Sequence, residues 1–164
     1  MYNFPIGKIN KVDDIIKIFG LDKTIKNPTL RRNITYTFQF TDVVEWLLKD
    51  TDLSLTAREQ VIKYGIIALN SIVEGVVIDY LCRAPCIDPS KKTEKNIDKL
   101  GNKEIPVPFE LRRSLKKVHH HRESLHLHLC KGSLEYKKYK ESDYDESLSA
   151  VLKFLNWMKE NLGS

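Results

Sequence analysis

Between Val61 and Leu81 the chain carries almost unbroken apolar side chains, and this run constrains the fold more than any other feature. Thr56-Ala57-Arg58-Glu59 ahead of it has the form of a capping box, with Thr at the cap and Glu three residues on. Ala84-Pro85 stops it. The spacing predicts a central helix over about 57–83, roughly 40 Å long at 1.5 Å per residue. Apolar residues fall on nearly every side of IIALNSIVEGVVIDYL, so such a helix must be surrounded. It is long enough to span a bilayer, but Lys63, Asn70, Glu74 and Asp79 would each be costly in hydrocarbon. The core helix of a soluble bundle, with no membrane contact, is the better expectation. Asn70 and Glu74 stand four apart and share a face; a structural role is expected for both.

Other segments supply helices to pack around it. Val12–Phe19 reads as a short helix with Ile15, Ile16 and Phe19 inward, and Asn27-Pro28 marks a break. Ile34–Phe40 alternates in part and predicts an extended segment. Thr41 then reads as the N-cap of a short helix carrying Val43, Val44, Trp46, Leu47 and Leu48. Residues 84–107 are a long polar connection with a helical turn near Asn96–Leu100. Pro108 suits the first turn of another helix, with Phe109, Leu111, Leu115 and Val118 inward. A last helix begins near Ser142 or Asp143, with Leu148, Val151, Leu152, Leu155 and Met158 at core spacing. Seven glycines and six prolines in 164 residues are too few for a sandwich of many turn-bounded strands. The expectation is an all-α, single-domain helical bundle over 1–164, with residues 1–40 as an N-terminal extension.

Charge is unevenly spread. The net charge is +5, yet residues 109–140 alone carry +6 and hold all five histidines. This concentration points to a phosphate-bearing partner; the competing reading is a solvated basic helix face. No secretory signal stands out in MYNFPIGKINKVDD, and three cysteines (Cys82, Cys86, Cys130) suggest reduced thiols in a cytoplasm. Cys82 and Cys86 with His128 and Cys130 could in principle bind zinc, but the spacing is loose. His126-x-His128 could chelate if extended, but no paired carboxylates stand nearby, so no metal or other cofactor is expected.

The chemistry-bearing stretch is His119–His128. Imidazole gives and takes protons near neutral pH, and arginine can fork two bonds onto a phosphate. Together they suit cleavage of an RNA phosphodiester: histidine activates the 2′-OH or protonates the leaving oxygen, and Arg122 stabilises charge on phosphorus. If the stretch is helical, Arg122 and His126 share a face; if extended, His126 and His128 do. Arg112, Arg113, Lys116, Lys117, His119 and His121 would steer nucleic acid. Phosphate-binding glycine loops, GxSxG and HExxH are absent.

The apolar helix with Glu74, a basic helix, and then Arg122-Glu123-Ser124-Leu125-His126-Leu127-His128 resembles the HEPN superfamily of helical-bundle domains. Its mark is an arginine, a polar residue, and a histidine after four to six intervening positions. Arg122 and His128 match that span and His126 is one short; Glu123 stands where many members carry Asn, Asp or His. The resemblance covers about residues 41–160. It implies a metal-independent endoribonuclease of toxin–antitoxin or phage-defence type, with Arg122, His128 and His126 as catalytic residues. It also implies a homodimer joining two motifs, with RNA as substrate and an antitoxin or regulatory protein as a further partner. Inactive members bind or regulate instead, which gives the alternative: a non-catalytic module for nucleic acid, nucleotide or a partner protein.

Overall fold

The computed structural model describes residues 9–124 and 140–163, and every regular element among them is helical. The elements are α1 (Val12–Phe19), α2 (Leu21–Thr24), α3 (Pro28–Asp50), α4 (Leu55–Leu81), α5 (Thr93–Lys99), a 3-10 turn (Leu100–Asn102), α6 (Phe109–Ser124) and α7 (Glu141–Leu162). The chain is an all-α bundle around a long central helix.

That helix is α4, and α3, α5, α6 and α7 all pack on it. Leu69, Val73, Val76, Val77 and Leu81 are fully buried and Ile62, Ile66 and Ile72 nearly so. By length and composition α4 could cross a membrane; here half of its most apolar window is buried against neighbouring helices, while Tyr64, Ile67 and Ile78 are exposed. It starts at Leu55, with Ser54 at the cap position and no side-chain cap bond, so Thr56 lies inside the first turn rather than at a capping box. Arg58 has a different task from the one its motif suggested. Its guanidinium donates to the Leu48 carbonyl at 2.9 Å and to Glu141 at 2.6 Å, tying the end of α3 to the starts of α4 and α7.

The expected extended segment Ile34–Phe40 is instead the middle of α3. Asn27 caps this helix, its Oδ1 accepting from the Thr29 and Leu30 amides at 3.0 and 3.2 Å, and Pro28 fits the first turn. The alternation resolves into two helical faces: Ile34 and Phe38, four apart, are buried, while Tyr36 and Phe40 are exposed. Thr41 lies inside the same helix, donating its hydroxyl to the Phe38 carbonyl at 2.7 Å. A stripe of Ile34, Phe38, Thr41, Val44 and Leu48 runs along α3 at helical spacing. Four-residue alternation cannot outvote that stripe once a capped start sets the helix going.

Residues before 40 contribute to the core as well: Ile15, Phe19, Leu21, Ile25, Ile34 and Phe38 are all buried, with Phe19 and Phe38 stacked at 4.9 Å. Gly20 joins α1 to α2 at φ 58°, a left-handed conformation that glycine adopts without steric cost. α7 closes the bundle with Val151, Phe154, Leu155 and Met158 inward. Burial pushes the Tyr144 phenol well above its ordinary pKa. Phe109, expected inward, is 66% exposed at the start of α6; it lies under the Arg112 guanidinium, 5.7 Å from the ring centroid.

Candidate functional site

α6 carries the basic, histidine-rich residues that are described, and its register sorts them. Leu115 and Val118 are buried against α4 and α7, and Arg122 continues their stripe, seven and four residues on. Arg122 is half-buried, two residues before the last residue of α6.

His119 also turns inward. Its side chain is 7% exposed, and its Nδ1 lies 3.9 Å from Glu74 Oε1 of α4 without a hydrogen bond. On the other side of the ring, Nε2 is 3.4 Å from Glu123 Oε1. Thr93 of α5 donates its hydroxyl to Glu74 Oε1 at 3.1 Å, holding that carboxylate at the junction of α4, α5 and α6. A cleft of about 260 Å³ opens beside Glu74, with Ser90, Lys91, Thr93 and Asn96 along its walls. A buried imidazole between two carboxylates, one turn before Arg122, is the most chemically loaded point among the described residues.

The outward cations of α6 each meet a carboxylate or carbonyl. Lys116 Nζ is 2.7 Å from Asp98 of α5, and Lys117 Nζ is 2.6 Å from Glu146 of α7. His120 Nε2 is 3.0 Å from Glu94, and His121 Nε2 is 3.4 Å from Glu146. The Lys117 hydrogen bond is the main reason the Glu146 carboxyl lies below its ordinary pKa; partial burial opposes the shift and His121 adds to it. Arg112 donates to the Val107 and Asp98 carbonyls at 3.1 and 3.3 Å, organising the turn before α6. Arg113 is exposed, with only a loose 3.9 Å approach to Glu110. The formal charge excess of this segment is thus partly met by acids from α5 and α7, far from their partners in sequence: Asp98 lies 18 residues from Lys116 and Glu146 lies 29 from Lys117.

His126 and His128 lie outside the described residues, as does Cys130. Cys82 and Cys86 are exposed free thiols. Among the described residues no group of three or more His, Cys, Asp or Glu side chains is arranged to hold a metal ion. The Glu74–His119 contact was only half visible in the sequence: Asn70 and Glu74 stood out as polar positions in an apolar helix, but nothing local pairs either with α6. Asn70 is buried, its Oδ1 without a hydrogen-bond partner. Lys103 gave no signal at all, although it is 6% exposed and donates to the Arg83 and Pro85 carbonyls at 2.8 and 2.7 Å.

Comparison of the chain with protein-family models, curated proteins and solved structures finds no match.

Proposed function

We propose that the protein is a HEPN-like, metal-independent endoribonuclease whose reaction centre lies at the end of α6. The observation that carries this reading is the placement of Arg122: half-buried on the inward stripe of α6, one turn after the buried His119 and its Glu74 and Glu123 neighbours. An arginine fixed in a partly desolvated site is suited to stabilise the extra charge that a phosphodiester gains on attack. In this reading Arg122 binds the phosphate and His128 or His126 transfers protons. His119 is buried beside Glu74, three residues before Arg122, where it would shape the site rather than steer the RNA. Arg113, the most accessible of the α6 arginines, joins Lys116 and Lys117 in attracting the strand, the lysines by exchanging Asp98 and Glu146 for phosphate.

One motif supplies one arginine, so the reading includes a two-fold homodimer that brings two copies to one cleft. Tyr64, Ile67, Ser71 and Ile78 of α4 and Tyr36 and Phe40 of α3 are exposed and available to such a dimer. A cytoplasmic setting, read from the three cysteines, and a toxin–antitoxin or defence role, which follows from the resemblance alone, belong to the same proposal.

A second reading is favoured by the neutralised outer face of α6. With Lys116, Lys117, His120 and His121 all beside carboxylates, the same surface suits a regulatory module that binds a partner protein without cutting. Incubation of end-labelled RNA in chelator separates the two. Cleavage by wild type, lost in Arg122→Ala at unchanged helical content, supports the nuclease; intact RNA with both proteins supports the binding module.

A further inference from the structure

The loop that leaves α4 begins with one cysteine and ends with another, and the fold closes it into a ring. The Ile87 amide donates to the Leu81 carbonyl at 2.9 Å, so the chain is tied at the neck, and Cys82 and Cys86 are the first and last residues inside. The interior of the ring is held by Lys103. Its ammonium donates two hydrogen bonds, to the carbonyls of Arg83 and Pro85 at 2.8 and 2.7 Å. Lys103 is itself fixed, buried with Nζ 5.3 Å from the centroid of the Tyr80 ring, while the Tyr80 hydroxyl donates to the Ile105 carbonyl at 2.6 Å. Arg83 adds a second anchor by pairing with Asp79 and donating to the Thr24 carbonyl. Against this immobile backbone both thiols are exposed, so a reagent in solvent can reach either.

We propose that Cys82 and Cys86 form a dithiol–disulfide couple, a modification site whose co-reactant is a small-molecule disulfide of the glutathione type. The Leu81–Ile87 hydrogen bond closes the chain just outside the two cysteines and so limits how far apart they can lie, and a disulfide needs their Cα atoms roughly 4.4–6.8 Å apart. The reaction is two successive exchanges. One cysteine, as thiolate, attacks the small disulfide, forming a mixed disulfide and releasing one small thiol. The second cysteine, having lost its proton, attacks the protein sulfur of that mixed bond, forms the Cys82–Cys86 bond and releases the second small thiol. The protein loses two protons and two electrons, and the small disulfide gains both. Because the ring holds the second thiol close to the first, its attack is intramolecular and outruns capture by another molecule. The alternative zinc reading of these cysteines needs His128 and Cys130; the couple needs neither.

The test uses the full chain with Cys130→Ser, so that only this pair remains. After equilibration with oxidised glutathione, the protein should lose two hydrogens in intact mass. N-ethylmaleimide additions should fall from two to none, and digestion should yield one peptide pair joined through Cys82 and Cys86. The same glutathione mixture in concentrated urea should give a smaller oxidised fraction, by about tenfold in equilibrium constant, because the ring no longer presents the thiols to each other. Stable mixed disulfides on both cysteines, a chain-to-chain disulfide, or two thiols that remain open to alkylation would each overturn the proposal. So would an oxidised fraction equal to or greater than the native one in urea. None of these readouts depends on whether the protein cleaves RNA.

Discussion

Gly65→Ala should destabilise the protein although it improves helix propensity. Gly65 lies in the middle of α4, where alanine would ordinarily stabilise by about 0.5–1 kcal/mol. A Cβ built there falls 2.6 and 2.8 Å from Cε2 and Cδ2 of Tyr144 and 3.1 Å from Cγ1 of Val44. The Tyr144 ring cannot easily yield: it is 1% exposed, wedged between α3, α4 and α7, with its hydroxyl 3.5 Å from the Thr41 carbonyl. Overpacking of this kind costs about 1–3 kcal/mol, so the clash outweighs the propensity gain and a net loss of roughly 1–2 kcal/mol remains. Gly75→Ala in the same helix is the control. Its Cβ would meet only Leu30 Cδ1 at 2.7 Å, the far end of a half-buried, flexible side chain. That variant should be neutral or more stable by up to about 0.5 kcal/mol. Urea titration followed by helical circular dichroism reads both. The Gly65→Ala midpoint should fall by about 0.5–1 M with an unchanged slope. A Gly65→Ala protein as stable as wild type, or a Gly75→Ala protein losing as much, would refute the packing of α3, α4 and α7 described above.

Glu146 gives a pH prediction. Its folded pKa lies below the ordinary carboxylate value because Lys117 bonds the charged form, so its contribution is present above that value and disappears as pH falls through the lowered one. The pair is half-exposed, so Glu146→Gln should cost only a few tenths of a kcal/mol near neutrality, with the gap closing in acid below about pH 4; a gap that persists in acid argues against the pair. If Lys116 and Lys117 contact the strand, replacing both by Gln should weaken RNA binding and flatten its salt dependence by about two units of log–log slope at most; an unchanged slope moves the binding face elsewhere. Light scattering should give about twice the 19.1 kDa chain mass, and Tyr64→Asp with Ile67→Asp should shift it to one; an unaltered mass places the interface off α4.

Two helices were legible from their apolar residues. Val12–Phe19 and the central helix were readable to within a residue or two because each repeats its apolar positions over two turns or more. Ile34–Phe40 misled because a short window shows alternation and helix equally well, and the deciding information, the Asn27 cap, lies seven residues upstream. The basic stretch was visible as composition, but its partners were not. Asp98 reaches Lys116 from α5 and Glu146 reaches Lys117 from α7, so neutralisation is a tertiary fact. His119 shows the same limit: adjacent histidines look equivalent in sequence, and only the 100° step of the helix turns one of the three into the core.

The chemistry of the cut ends tests the central claim most directly. In the proposed reading Arg122 and histidine let the 2′-OH attack its own phosphate, so the products should carry a 2′,3′-cyclic phosphate and a 5′-hydroxyl. A single 2′-deoxy nucleotide at the cleavage position should abolish the cut, in chelator as in its absence. Cleavage of the deoxy substrate, or products that carry 5′-phosphates, would contradict the account.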